Sequence, residues 1–421
     1  MSLCRVHSLP YRPDPASYFA LVRHAPGAVL LDAGRPQAER GRYDLLSAWP
    51  LATYAAEAHE SGTRFFQRLR AGLDQLGRAE TPDGYELPFT GGLIGYLSYD
   101  FGRRLERLPE QAADDLQLPD ARFGLYAWAL VSDHQRQTSQ LLFHPALAES
   151  ERERLIQLFE AGHPAPCPPF SLRQAFRADQ SPDDYHHAIE RIQSYIQAGD
   201  CYQVNFAQRF QAPCQGDAWS AYQALRAACP TPFAGFQALE GGDAILSLSP
   251  ERFLQVSQGR VETRPIKGTR PRGTSTADDQ ANADELVGSA KDRAENLMIV
   301  DLLRNDLGRI AQAQRIALGL RQIELSPHRY EIWTALQSVD QRLHFFCPIH
   351  LAGTDIGVVT RHQLRAEAIQ AVNLQLAVAI ARTRVVADLQ RCALQVRIDI
   401  GQTVQQPRRR MLFRQKITQQ L

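Results

Sequence analysis

Five short stretches alternate apolar with polar positions or run apolar and β-branched, and this pattern predicts strands at Ala28 to Asp32, Ala127 to Ser132, Gln203 to Phe210, Ala244 to Leu248 and Arg252 to Gln255. Longer segments with a three-to-four-residue apolar period predict helices at Ser61 to Leu76, Pro182 to Gln197, Trp219 to Ala228 and Asp278 to Leu307, the last with a break near Gly288. Local chemistry marks some ends. Ser181 is placed as an N-cap with Pro182 at the first helical position, and Gly199 is placed to close that helix. Four prolines between His163 and Pro169 cannot continue a helix or a central strand, which makes this the best candidate boundary in the chain. The expectation is one large α/β domain or two interleaved halves, with regions 1–165 and 170–421 on either side of this boundary.

Composition narrows the class. No apolar run approaches the roughly 20 residues of a membrane span, and the start Met1-Ser-Leu-Cys-Arg5 has no signal-peptide pattern. Seven scattered cysteines without Cys-x-x-Cys spacing point to reduced thiols and a cytoplasmic address. A net charge of +1 gives no reason to invoke nucleic acid. The charge is uneven, however: Phe346 to Leu421 carries eleven basic against four acidic residues, and the preceding 345 residues are net acidic.

The densest chemistry lies at Thr263-Arg-Pro-Ile-Lys-Gly-Thr269. Pro265 restricts the backbone on one side and Gly268 frees it on the other, so Lys267 is presented on a turn. A surface lysine is the ordinary alternative. Its neighbours argue otherwise, because Ser249-Pro-Glu-Arg-Phe253 lies just upstream and Lys291-Asp-Arg-Ala-Glu-Asn296 just downstream. An amine, carboxylates and guanidinium groups are thereby gathered within fifty residues. Arg264, Arg270 and Arg272 are candidate neighbours of the amine, and Glu251 has an ion pair with Arg252 or Arg264 as its bland reading. The glycine cluster in Pro88 to Gly102 is a weak nucleotide signal and reads better as packing.

These motifs, in this order and running on into Val300-Asp-Leu-Leu-Arg-Asn-Asp-Leu-Gly-Arg309, resemble the chorismate-utilising enzymes. Pro88-Phe-Thr-Gly-Gly-Leu-Ile-Gly-Tyr-Leu-Ser-Tyr-Asp100 carries the resemblance into the N-terminal third, and it weakens after Ile310. Within that family anthranilate synthases have alanine where Lys267 stands, and the para-aminobenzoate branch has lysine, so the resemblance is to the latter. It implies an α+β fold, an anthranilate-synthase-like sandwich of two largely antiparallel sheets with outer helices. The implied reaction is amination of chorismate to 4-amino-4-deoxychorismate, with ammonia delivered by a separate glutamine amidotransferase subunit. Lys267 would attack the ring at C2, which requires a neutral amine, and Glu251 would serve as acid/base. Glu295 would help hold Mg²⁺, and Thr269 and Arg382 would bind substrate. Leu30-Leu-Asp-Ala-Gly34 resembles a segment lining a tryptophan pocket in relatives, with Ala33 in place of the usual serine.

The far end departs from the family pattern. Glu295 and Asp306, three helical turns and about 16 Å apart, cannot chelate one ion. The C-terminal metal carboxylates of the family have no counterpart in Ile400 to Lys416, where Arg408, Arg409, Arg410 and Arg414 would repel a cation. Thr334 stands where a histidine is usual, and Gly353 to Arg361 only echoes the family's glycine-rich loop. Two readings stay open: an active aminase, or a non-catalytic relative whose C-terminus has degenerated or been corrupted by compensating frame errors.

Overall fold

The computed structural model describes residues 2–38, 41–109, 114–257, 259–310 and 378–381. They fall into two units, one holding the described residues up to Arg177 and from Phe210 onward, the other Ala178–Arg209.

In the larger unit the chain opens with β1 (Arg5–Leu9), the single-turn helix α1 (Ala16–Phe19), β2 (Val29–Asp32), β3 (Tyr43–Ser47), β4 (Ala52–Ala55) and α2 (Gly62–Leu76). It continues through β5 (Gly92–Leu97), β6 (Ala121–Tyr126), β7 (Trp128–Asp133), β8 (Thr138–Phe143) and α3 (Glu149–Ala161). The smaller unit carries α4 (Pro182–Ala198), and α5 (Ala218–Ala228), β9 (Phe233–Ala238) and β10 (Ala244–Ser249) then return to the larger one. The hairpin β11 (Gln255–Ser257) and β12 (Arg260–Glu262) leads to α6 (Thr276–Gly288) and α7 (Ala290–Ile310), and β13 (Val378–Ala381) is the last described element.

Eight strands form one antiparallel sheet in the order β13-β10-β9-β2-β3-β7-β8-β1, and β4-β6-β5 form a second. The two faces of the large sheet are used differently. One packs Leu30, Leu46, Trp128, Leu130 and Phe236 against Phe19 of α1, Phe159 of α3 and Trp219 and Tyr222 of α5. The other places Val29, Leu45 and Val131 against Ile94 of the small sheet, with α2 closing that sheet through Phe65 and Leu69. Both faces being covered, β7 is buried at every position, which explains why its sequence runs apolar instead of alternating. The expected α+β sandwich of antiparallel sheets with outer helices is therefore the observed architecture.

Most predicted elements fall where the pattern put them. Ser181 accepts the Asp184 N–H at 3.1 Å, Pro182 opens α4, and Gly199 closes it in the left-handed conformation at φ 79°. The long C-terminal helix does break beside Gly288, and Ser289 accepts the Asp292 N–H at 3.2 Å to start α7. Two strands differ. Residues 203–209 form no strand; Phe206 instead faces Tyr185 of α4 with ring centroids 5.3 Å apart, and an apolar alternation without a partner ladder cannot hold a strand. The strand expected at Arg252 to Gln255 starts only at Gln255, because Pro250 and a turn at Ser249 delay it.

The proline-rich stretch at 163–169 is extended and clamped. Buried Arg23 donates to the carbonyls of Ala165 and Pro166 at 2.8 Å each, and Ser220 of α5 donates to Pro168 at 2.8 Å. No disulfide joins the described cysteines, and no helix among the described residues is long and apolar enough to cross a membrane.

Candidate functional site

The site begins where β10 ends. Ser249 accepts the Glu251 N–H at 3.2 Å, turning the chain so that the Glu251 carboxylate meets the segment returning from β12. There Glu251 Oε1 accepts the Ile266 N–H at 3.0 Å. The acid predicted to act with Lys267 is thus hydrogen-bonded to the peptide beside it. Arg252 and Arg264, the partners of its bland reading, both pair with Glu262. Burial opposes the charge on Glu262, and the two guanidinium groups outweigh it, holding that carboxyl below its usual range.

Lys267 is half-buried, and among the described residues it makes no hydrogen bond or ion pair. Its identity is pointed: only three of the 47 basic residues are lysine, the others being Lys291 and Lys416. The three arginines expected near it are each held by carboxylates. Arg264 pairs with Glu262; Arg270 donates to Glu285 at 3.0 Å and to Asp292 at 2.9 Å; Arg272 donates to Asp279 at 2.6 Å.

These pairs fasten the lysine turn to two helices. Gly268 is buried at φ 81°, and a β-carbon there would lie 2.7 Å from Leu286 Cδ1 of α6 and 3.1 Å from Asp292 Cβ of α7. Only glycine permits this approach. Ser275 caps α6, accepting the Asp278 N–H at 3.2 Å, and Asp279 also accepts the Gly273 N–H at 2.9 Å. Burial opposes the charge on Asp292, but the Ser289 hydroxyl and Arg270 outweigh it and keep its carboxyl below the ordinary range.

The same helix α7 carries Glu295, three residues or about 4.5 Å of rise beyond Asp292. Glu295 is partly buried, with Lys291 one turn back at 3.9 Å. The structure therefore brings Glu251, Lys267 and Glu295 onto one framework through Ile266, Gly268 and Asp292. Thr269 is exposed, and its carbonyl accepts from Arg270 at 3.0 Å. Arg382 directly follows β13 and lies outside the described residues, as do Thr334, Gly353 to Arg361 and the arginines at 408, 409, 410 and 414. Among the described residues no group of three or more His, Cys, Asp and Glu could hold a metal ion.

Sequence reasoning missed Asn296. Its side chain is buried with 2% of the residue exposed, and among the described residues neither Oδ1 nor Nδ2 has a hydrogen-bond partner. The available signal was its four-residue spacing from Asp292, which puts both on one face.

In the N-terminal half, Asp32 of the Leu30 to Gly34 segment is fully buried. Arg226 grips it through Nε at 2.7 Å and an Nη at 3.1 Å, and Tyr222 donates to it at 2.9 Å.

Residues 27–324 match the model of the chorismate binding enzyme family. Aminodeoxychorismate synthase component 1 of Salmonella typhimurium is 44% identical over 320 residues, covering 73% of this chain and 68% of that protein. Anthranilate synthase component 1 of Thermus thermophilus is 33% identical over 380 residues, covering 85% of this chain and 75% of that one. Among solved structures, anthranilate synthase component I from Streptococcus pneumoniae superposes with a TM-score of 0.57 at 25% identity, covering 70% of this chain and 68% of that chain. With its ordered motifs, its antiparallel sandwich and this match over most of its length, the chain belongs to the chorismate binding enzyme family.

Proposed function

We propose that this chain aminates chorismate at C4, giving 4-amino-4-deoxychorismate, with ammonia supplied by a separate glutamine amidotransferase subunit. The observation that carries the reading is Lys267: a half-buried amine without a partner among the described residues, on a turn tied to Glu251 on one side and to α7 on the other. The greater identity to an aminodeoxychorismate synthase component than to an anthranilate synthase component supports the same branch.

In this mechanism the Lys267 Nζ lone pair forms a bond to ring C2, both ring double bonds each shift one position away from C2, giving C1=C6 and C4=C5, and the C4–oxygen bond breaks. Glu251 gives its proton to the departing hydroxyl, which leaves as water. Ammonia then bonds to C4, both double bonds shift back to C5=C6 and C1=C2, and the C2–nitrogen bond returns its electron pair to Lys267. Glu251 takes up the proton released by the incoming nitrogen. Thr269 and Arg382 bind substrate oxygens in this reading.

Mg²⁺ commonly takes one or two carboxylates and fills its shell with water and substrate oxygens, so Glu295 alone is compatible with holding it. When bound there, the ion would supply a grip on the ring carboxylate of the substrate.

The test is product identity. Given chorismate, Mg²⁺ and ammonium, the protein should form a product aminated at C4, and chromatography showing mainly anthranilate would reject the assignment. A second reading, a non-catalytic relative, is favoured by one observation: Ile400 to Lys416 contains no carboxylate. Titration calorimetry separates the two. Metal-dependent chorismate binding that is lost in Glu295→Gln supports the aminase, and weak, metal-independent binding supports the alternative.

A further inference from the structure

Gly268 and Arg270 meet the same two helices at the same two places. A β-carbon on Gly268 would lie 2.7 Å from Leu286 of α6 and 3.1 Å from Asp292 of α7. The Arg270 guanidinium donates through Nε to Glu285, the residue before Leu286, at 3.0 Å, and through Nη2 to Asp292 itself at 2.9 Å. Its third nitrogen, Nη1, donates to the Thr269 carbonyl at 3.0 Å. One guanidinium thus joins both helices to the loop that carries Lys267.

An arginine this near the amine, in a site for a dianion, would ordinarily be read as a ligand of a substrate carboxylate. Its contacts point elsewhere, because two carboxylates of the protein already share its charge and its side chain is only 20% exposed. The two pairs are unequal. Glu285 is 66% exposed, so water screens its pair, whereas Asp292 is 14% exposed and its N–H is held by Ser289. The grip on α7 is therefore the stronger one. On the other flank of Lys267, the Ile266 N–H is bonded to Glu251 at 3.0 Å. With the backbone held on both sides, the reach of the amine is set by where that backbone stands.

We infer that Arg270 is a positioning residue: by bridging Thr269, Glu285 and Asp292, it holds the Lys267 turn at a fixed offset from Glu295, three residues beyond Asp292 on α7. This rests on the roles proposed for Lys267 and Glu295. Lysine cannot substitute, since a point ammonium lacks the planar fork that spans two carboxylates and a carbonyl.

Arg270→Lys keeps the charge and removes the fork. In the full chain, with chorismate, Mg²⁺ and ammonium and the rate normalised to folded protein, it should lose at least tenfold in kcat with KM for chorismate within threefold. Asp292→Asn should show the same split, and the double variant should fall no more than twofold below the slower single one, because both changes remove one contact. Parental kcat in folded Arg270→Lys overturns the inference. So does a KM raised tenfold or more with kcat retained, which would make Arg270 a substrate ligand. Amide hydrogen exchange reads the same clamp without turnover. In Arg270→Lys the Ile266 N–H should exchange at least fivefold faster than in the parent while the amides of β7 keep their parental rates, and unchanged Ile266 exchange overturns the inference whatever the activity. If Arg270→Lys does not fold, Asp292→Asn carries both measurements. Undiminished 4-amination by Lys267→Ala would overturn the functional reading instead, and the exchange rates would still decide whether Arg270 holds the turn.

Discussion

Gly268 rests against Asp292 so closely that a β-carbon on the glycine would come within 3.1 Å of the aspartate's own. This contact joins the lysine turn to the helix that carries Glu295. Gly268→Ala has two costs, a left-handed φ of 81° and a 2.7 Å approach to Leu286 Cδ1. We expect a destabilisation of about 1–3 kcal/mol, measured by urea unfolding, and a loss of amination beyond what the unfolded fraction explains. A variant with parental activity would show that the turn does not set the position of Lys267.

Lys267→Ala should abolish or greatly slow 4-amination, because no amine remains to attack the ring at C2. Some product should shift toward anthranilate. Parental 4-amination kinetics in this variant would remove Lys267 from the mechanism.

Arg226→Met should be among the most destabilising single changes. It leaves the Asp32 carboxylate buried between β2 and α5 with Tyr222 and the Gly34 N–H as its remaining hydrogen-bond donors. Breaking one side of a buried pair costs about 3–5 kcal/mol. A change under about 1 kcal/mol in the urea midpoint analysis would mean that water reaches Asp32 in solution.

Asp292 predicts a pH dependence. Its folded carboxyl is held below the usual range, despite burial, by Ser289 and Arg270. The unfolded value is about 3.9. The stabilisation is therefore complete well above that value and is lost as the pH falls through the lower folded value. Between pH 6 and pH 2 the parent should lose more stability than Asp292→Asn does, and coincident acid limbs for the two proteins would count against the pair.

Much of this architecture was legible because it was written in short-range chemistry. Ser181, Pro182 and Gly199 bound α4 by hydrogen bonds and backbone angles that involve only near neighbours, and the break before α7 is likewise marked by Gly288 and Ser289. Gln203 to Phe210 misled for the opposite reason. Its alternation is that of a strand, but a strand exists only when a second chain segment supplies the ladder, and Phe206 is occupied by Tyr185. The site divides in the same way. Glu251, Lys267 and Glu295 could be named from motifs, whereas the Ile266 hydrogen bond, the seat of Gly268 on Asp292 and the buried amide of Asn296 are products of packing. The pairing of Asp32 with Arg226, residues 194 apart in the chain, had no local signal at all.

The strand order of the large sheet has a consequence for how the protein can be made. β2, near the beginning of the chain, has β9 as its neighbour, and β9 is not synthesised until some 200 residues later. A fragment ending before residue 170 would present β2 as a bare edge, with open backbone donors and acceptors and an apolar face still uncovered by α5. Such a piece is a template for aggregation rather than a foldable half. Non-local pairing of this kind also slows folding, since the ends of a long loop must meet before any ladder bond rewards them. The two halves would have to be produced together, each supplying the edge the other lacks.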